Sequence, residues 1–113
     1  MQVTFTFRHV EPSEALKTYA RDKIAKFQKY LRSPLEADVI LSTERHLHCV
    51  ELSVRADGER FAGSVESEDM YASIDKVIDK VDRQVRDSKA AANHRKRHSG
   101  GVSQLAGKQK PEE

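Results

Sequence analysis

The stretch from Ser67 to Lys89, SEDMYASIDKVIDKVDRQVRDSK, constrains the fold more than any other part of this chain. Met70, Ile74, Val77, Ile78, Val81 and Val85 recur at steps of three and four residues, the period of one buried helical face. Lys76, Lys80 and Arg83 lie roughly opposite, with Arg86 and Lys89 at the flanks. The apolar stripe therefore needs a second layer to cover it, and the cationic side needs water or an anion. Glu66, Glu68 and Asp69 crowd the start of this helix, where carboxylates suit the positive end of the helix dipole.

The second layer is legible upstream. Residues 2–8, QVTFTFR, alternate, with Val3, Phe5 and Phe7 on one side, and so predict a strand with one buried face. Ser13 is the expected N-cap of a first helix running from about Ser13 to Leu31. Its apolar stripe is Leu16, Tyr19, Ala20, Phe27, Tyr30 and Leu31, with Ile24 at the edge, and Lys23 projects within that stripe. Lys23 either snorkels over apolar surface or lines a groove between two helices. Ser33-Pro34 ends the helix.

Glu36 to Thr43 contains Val39-Ile40-Leu41, a short run that reads as a well-buried strand. His46 to Ala56 alternates, with Val50, Leu52, Val54 and Ala56 on one side. Asp57-Gly58 predicts a type I′ hairpin turn, which needs positive φ at both central residues. The return strand is Glu59 to Glu66, with Phe61, Gly63 and Val65 inward and room at Gly63 for an aromatic ring or backbone to approach. The order β-α-β-β-β-α predicts an α+β two-layer sandwich, a four-stranded sheet with two helices on one face. The first two strands are expected to pair in parallel through a helical crossover.

At 113 residues the chain is sized for one domain with a modest core. The reading divides it into a folded domain over residues 1–92 and a tail over 93–113, basic at HRKRH (His94–His98), then flexible. Nothing approaches the roughly 20 apolar residues of a membrane span. The start has no signal-peptide layout and Cys49 has no partner cysteine, so the expected compartment is the cytoplasm.

The net charge of +2 conceals a segregation. Residues 14–35 hold six basic and two acidic residues, residues 36–75 three basic and ten acidic, and residues 76–98 eight basic and three acidic. In the sandwich this places the acidic residues on the open side of the sheet and the basic ones on the helical side. A field of that kind draws in polyanions. The competing reading is a solvated helix laced with Asp79–Arg83 and Asp82–Arg86 pairs at i,i+4 spacing. Those pairs account for two arginines and leave Lys76, Lys80 and Lys89 unexplained. Binding through about six phosphates would give a log affinity against log salt slope on the order of −4 to −5. Only Tyr71, near the start of the second helix, offers an aromatic outside the apolar faces.

Catalysis finds little support. His46-Leu47-His48-Cys49 is the one stretch resembling a nucleophile or ligand cluster. On a strand it puts both histidines on one face and the thiol on the other, too few ligands for zinc. The carboxylates are scattered rather than paired in an apolar pocket, and no glycine-rich phosphate loop is present. Neither an enzyme activity, a cofactor, a metal nor a small-molecule substrate is expected.

The run Glu68-Asp69-Met70-Tyr71-Ala72-Ser73-Ile74-Asp75, continuing through Ile78-Asp79-Lys80 to Arg83-Gln84, resembles the signature of the ribosome hibernation-promoting and ribosome-associated inhibitor family, also labelled sigma-54-modulation proteins. The resemblance covers residues 1 to about 90, with Glu14-Ala15-Leu16, Lys23 and Lys26 among the matching positions. It implies a fold similar to double-stranded-RNA-binding domains. It also implies binding of 16S rRNA at the decoding centre of the small ribosomal subunit, which blocks the mRNA and tRNA sites and inhibits translation in stationary phase or stress. The implied partners are the small subunit and 70S or 100S ribosomes, with a monomer off the ribosome. Carried over by position, the rRNA-binding residues are Lys23, Lys26, Lys80, Arg83 and Lys89; the helical wheel adds Lys76 and Arg86. Asp69, Met70 and Tyr71 belong to the signature, with capping and packing as the alternative role of Asp69 and Tyr71. The expected form is the short one, and its tail matches neither known short type well enough to assign it. Two rival readings are a general RNA-binding module and a regulator working through protein contacts on the acidic sheet face.

Overall fold

The computed structural model describes the backbone of residues 1–97 and side chains through Lys89. Four strands, β1 (Gln2–Arg8), β2 (Glu36–Glu44), β3 (Leu47–Ala56) and β4 (Glu59–Ser67), form one sheet in the order β1-β2-β3-β4. β1 and β2 are parallel, and the remaining pairs are antiparallel. Helix α1 (Glu14–Ala25) connects the parallel pair, and α2 (Met70–Arg97) follows β4. Both helices cover the same sheet face. The Arg21 guanidinium sits over the Phe5 ring of β1, while α2 lies across β3 and β4.

The core forms where the two periods meet. Ala37, Val39 and Leu41 of β2 and Val50, Leu52 and Val54 of β3 share one core cluster with Ile74, Val77, Val81 and Val85 of α2, all nearly without solvent contact. Burial of this set is the main stabilising term, at ~25 cal/mol per Å² of apolar surface removed from water. Asp57 (φ 56°) and Gly58 (φ 75°) make the β3–β4 turn with both central residues at positive φ, as the Asp-Gly pair requires.

The first helix is shorter than its periodicity predicts. The α-helical hydrogen bonding stops at Ala25, and Lys26–Tyr30 continues as a 3-10 helix, so Lys26 is not on α1 itself. One of its own side chains ties the tightened segment to the backbone beyond it. Gln28 donates to the Ser33 carbonyl at 2.7 Å and accepts from the Leu35 amide at 2.9 Å, pulling the chain round toward β2. Ser13 caps the start as predicted, accepting from the Leu16 amide at 3.2 Å.

Three further expectations are corrected. Ile24 is fully buried rather than at the edge of the stripe, in the same core cluster as Phe27. Ile40 faces the open side of the sheet, because β2 alternates strictly and only Val39 and Leu41 turn inward. Gly63 is approached neither by an aromatic ring nor by backbone. A Cβ there would lie 3.6 Å from Val77, Val81 and the Cβ of Lys80, so it marks where α2 seats on β4. The second helix is longer than predicted, with its backbone continuing past Lys89 to Arg97. His98 and the tail that follows lie outside the described residues.

The exposed edge and the open face of the sheet are handled differently. At β4, Gln84 of α2 donates to the Ala62 carbonyl at 2.7 Å and accepts from the Ala62 amide at 3.1 Å. One side chain thus stands in for a fifth strand and blunts an edge that would otherwise invite pairing. On the open face, Arg55 bridges Asp38 at 2.9 Å and Glu36 at 3.3 Å. That face is therefore acidic with cations interleaved.

Candidate nucleic-acid interface

The start of α2 is built by the signature residues. Asp69 accepts from the Ala72 amide at 3.3 Å through its side chain and from the Ser73 amide at 3.0 Å through its carbonyl, so it caps the helix. Met70 is buried in the core. Ser73, fully buried, donates to the His48 carbonyl at 2.7 Å and lies 2.6 Å from the Ser67 hydroxyl, which fixes the helix start to β3. Tyr71 is exposed, its ring edge-on to Tyr19 with centroids 4.9 Å apart. Capping thus accounts for Asp69, and Tyr71 packs against Tyr19 while leaving part of its ring exposed.

The predicted cations separate into two groups. Lys76, Lys80 and Arg83 are exposed and share one side of α2. Lys80 marks its direction: its Nζ reaches the Ser64 carbonyl at 3.4 Å, so this row runs along the outer side of α2, over the β4 edge. None of the three forms an ion pair among the described residues. The expected Asp79–Arg83 pair is not formed, whereas Asp82–Arg86 closes at 3.0 Å. Lys26, on the 3-10 helix, is likewise exposed and unpaired among the described residues.

Lys23, Arg86 and Lys89 are engaged. Lys23 lies 3.5 Å from Asp75 and 4.9 Å from the Tyr19 ring centroid, and Tyr19 donates to the same carboxylate at 2.7 Å. The Asp75 hydrogen bond raises the Tyr19 phenol above its ordinary value. Of the two readings of Lys23, the structure selects the groove between helices. Arg86 is more than half exposed, and a surface pair of this kind is worth only ~0.3–0.5 kcal/mol, so Asp82 holds it weakly.

Lys89 is held differently. Its Nζ is 2.8 Å from Asp57, with side chains 22% and 11% exposed. Asp57 also accepts the backbone N–H groups of Arg32 and Ser33. The Lys89 ammonium first, then those two amides, hold its carboxyl well below the usual carboxylate range. This carboxylate joins the β3–β4 turn, the segment after α1 and the late turns of α2. Lys89 is thereby committed to the fold.

The two helices do not present one continuous cationic surface. Asp75, Asp79 and Asp82 run along the α1-facing side of α2, opposite Lys23, Lys26 and Lys29. The i, i+4, i+7 spacing of the three aspartates is visible in the sequence. That they face α1 is not, because it depends on where the sheet sets the helix. His46, expected on a strand beside His48, lies in the β2–β3 turn. Partial burial and then Glu66 push the Cys49 thiol above its ordinary value, the opposite of an activated nucleophile.

Fold and site together define a small α+β sandwich with a row of exposed cations, unpaired among the described residues, along one side of a long helix, and with an acidic sheet face left open. The family model described as Sigma 54 modulation protein / S30EA ribosomal protein matches residues 3–93, and the chain belongs to that family. It is similar to the ribosome hibernation promoting factor of Pseudomonas putida, 34% identical over 89 residues that cover 79% of this chain and 87% of the relative. The Escherichia coli K12 protein of the same name is 35% identical over 85 residues, covering 75% of this chain and 90% of that one. Among solved structures, the N-terminal domain of Thermus thermophilus Protein Y matches with a TM-score of 0.73 at 27% identity, over 78% of this chain and 99% of that one. A ribosomal subunit interface protein from Coxiella burnetii matches at TM-score 0.69 and 22% identity, over 80% of this chain and 99% of that one, a likeness of fold alone.

Proposed function

We propose that this protein is a non-enzymatic, cytoplasmic ribosome hibernation factor. It binds 16S rRNA at the decoding centre of the small subunit, occupies the mRNA and tRNA sites, and stops translation in stationary phase or stress. The observation that carries this reading is the outer row of Lys76, Lys80 and Arg83, exposed and without carboxylate partners among the described residues, on a chain with relatives named for ribosome hibernation. Unpaired lysines and arginines at one-turn intervals suit a phosphate backbone, which positions a protein without specifying sequence. Lys26 and the weakly held Arg86 extend the contact toward α1. Lys23 and Lys89 set the positions of the helices that carry it.

Co-sedimentation with 30S subunits and translation in vitro test the reading, with wild type compared to Lys80→Glu/Arg83→Glu. The expected result is loss of both 30S binding and inhibition in the variant. Unchanged binding and inhibition would overturn it, and equal affinity of the wild type for any structured RNA would replace it with a general RNA-binding module.

A further inference from the structure

The groove between the two helices differs in character from the outer cationic row. It has a volume of about 280 Å³, near the lower end of ligand sites at ~300 Å³ and too small for a duplex. Its walls have three chemistries. Phe27, Tyr30 and Ile78 make an apolar floor, Lys26 and Lys29 stand on one lip, and Asp79 stands on the other. Two further lining groups are already satisfied, Lys23 by Asp75 and Asp82 by Arg86. Asp79 is exposed, and no ion pair among the described residues engages it. The Lys29 ammonium lies 5.2 Å from the Tyr30 ring centroid, which keeps a positive charge at the mouth.

We propose that this groove takes one unpaired guanosine of an RNA strand. This deepens the ribosomal RNA reading and rests on it for the identity of the partner. A carboxylate beside an apolar slot, faced by two free lysines, matches a nucleotide in three parts: a flat ring, a donor edge and a phosphate. Among the four bases only guanine presents two adjacent donors, N1–H and the 2-amino group, to a single carboxylate. Uracil offers one N–H between two carbonyls that repel Asp79. Adenine and cytosine each set a ring acceptor beside their amino group. Guanine in a duplex has that edge occupied, so the groove selects an unpaired residue. A basic peptide also suits Asp79, but it would have to pass Lys26 and Lys29.

Fluorescence anisotropy with labelled single-stranded RNA heptamers tests the assignment, using UUUGUUU, UUUIUUU (inosine lacks the 2-amino group), UUUAUUU and an all-uridine control. The guanosine oligomer is expected to bind about tenfold tighter than all-uridine, with inosine intermediate and adenosine near the control. Asp79→Asn is expected to bring the guanosine-to-uridine ratio to about one, whatever it does to overall affinity. Lys26→Met should weaken all four oligomers alike. Absence of a guanosine preference in the wild type, or its survival in Asp79→Asn, overturns the proposal. So does an arginine-rich peptide that binds through Asp79 while the guanosine oligomer stays bound. Wild-type binding to 30S subunits is measured in parallel. If it is present while the guanosine preference is absent, the pocket alone falls; if it is absent, the ribosomal reading falls and the oligomer series still decides the pocket.

Discussion

The two sides of α2 carry similar numbers of charges and use them in opposite ways. On the inner side, Asp75 and Asp82 meet Lys23 and Arg86, and Asp79 faces the lysines of the 3-10 helix across the groove. On the outer side, Lys76, Lys80 and Arg83 stand without carboxylate partners among the described residues. The inner side is compensated at Asp75–Lys23 and Asp82–Arg86, and charges of both signs face each other across the groove. The outer side projects a net positive field into solvent, where salt screens it only over a Debye length of ~8–10 Å. One helix thus packs and exposes a cationic row at once, because its apolar stripe divides the surface into two flanks of different charge.

Breaking the outer side should have the largest effect. Reversing Lys80 and Arg83 is expected to lower affinity for the small subunit by on the order of a hundredfold at about 0.1 M salt. The same variant should flatten the slope of log affinity against log salt by about 1.4, from a wild-type value near −4. A slope unchanged by the reversal would mean that these residues touch no phosphate.

The anchor beneath the comparison is the Asp57–Lys89 contact. Asp57→Asn keeps a residue that tolerates φ 56° and removes the charge. Its melting temperature is expected to fall by on the order of 5 °C at pH 7, with the salt slope for RNA left as in the wild type. The folded-state pKa of Asp57 is depressed, so its stabilisation is present above the unfolded value of ~3.9 and fades as pH falls below it. The gap between wild type and variant in thermal scans should therefore narrow from pH 7 to pH 3. A gap that widens on acidification would place the stabilisation elsewhere. A changed salt slope would return Lys89 to the phosphate contacts.

The smallest effect separates two neighbouring lysines. Lys26→Met is expected to reduce the salt slope by about 0.7, one phosphate on the single-strand coefficient. Lys23→Met should leave the slope alone and lower thermal stability slightly, because Asp75 holds Lys23 and surface pairs contribute at most ~1 kcal/mol. Equal slopes for the two variants would erase the distinction between compensated and free cations.

How much of this could be read from the chain itself follows the range of the interactions. The β-α-β-β-β-α order, the inward faces of β1, β3 and β4 and the stripe from Met70 to Val85 rest on local periodicity, and the structure retains them. The turn at Asp57-Gly58 was readable because positive φ at both positions leaves few residue choices. The end of α1 was not, because Gln28 stops it by binding Ser33 and Leu35, contacts that form only once the chain has turned toward β2. For the site, residue types and spacing picked out the cations. Which of them are free was invisible, since Lys89 meets a carboxylate 32 residues away and Lys23 one 52 residues away in sequence. A groove between the helices was one of two readings of Lys23, but Lys29 and Asp79 on its lips were not legible for the same reason: its walls come from segments far apart in sequence.

The central claim is occupancy of the mRNA and tRNA sites, and competition tests it most directly. Labelled protein is titrated onto 30S subunits that are empty or preloaded with mRNA and a paired tRNA. The account predicts mutual exclusion: preloaded subunits reject the protein, and excess protein displaces the tRNA. Simultaneous binding of protein, mRNA and tRNA to one subunit with undiminished affinity would contradict it.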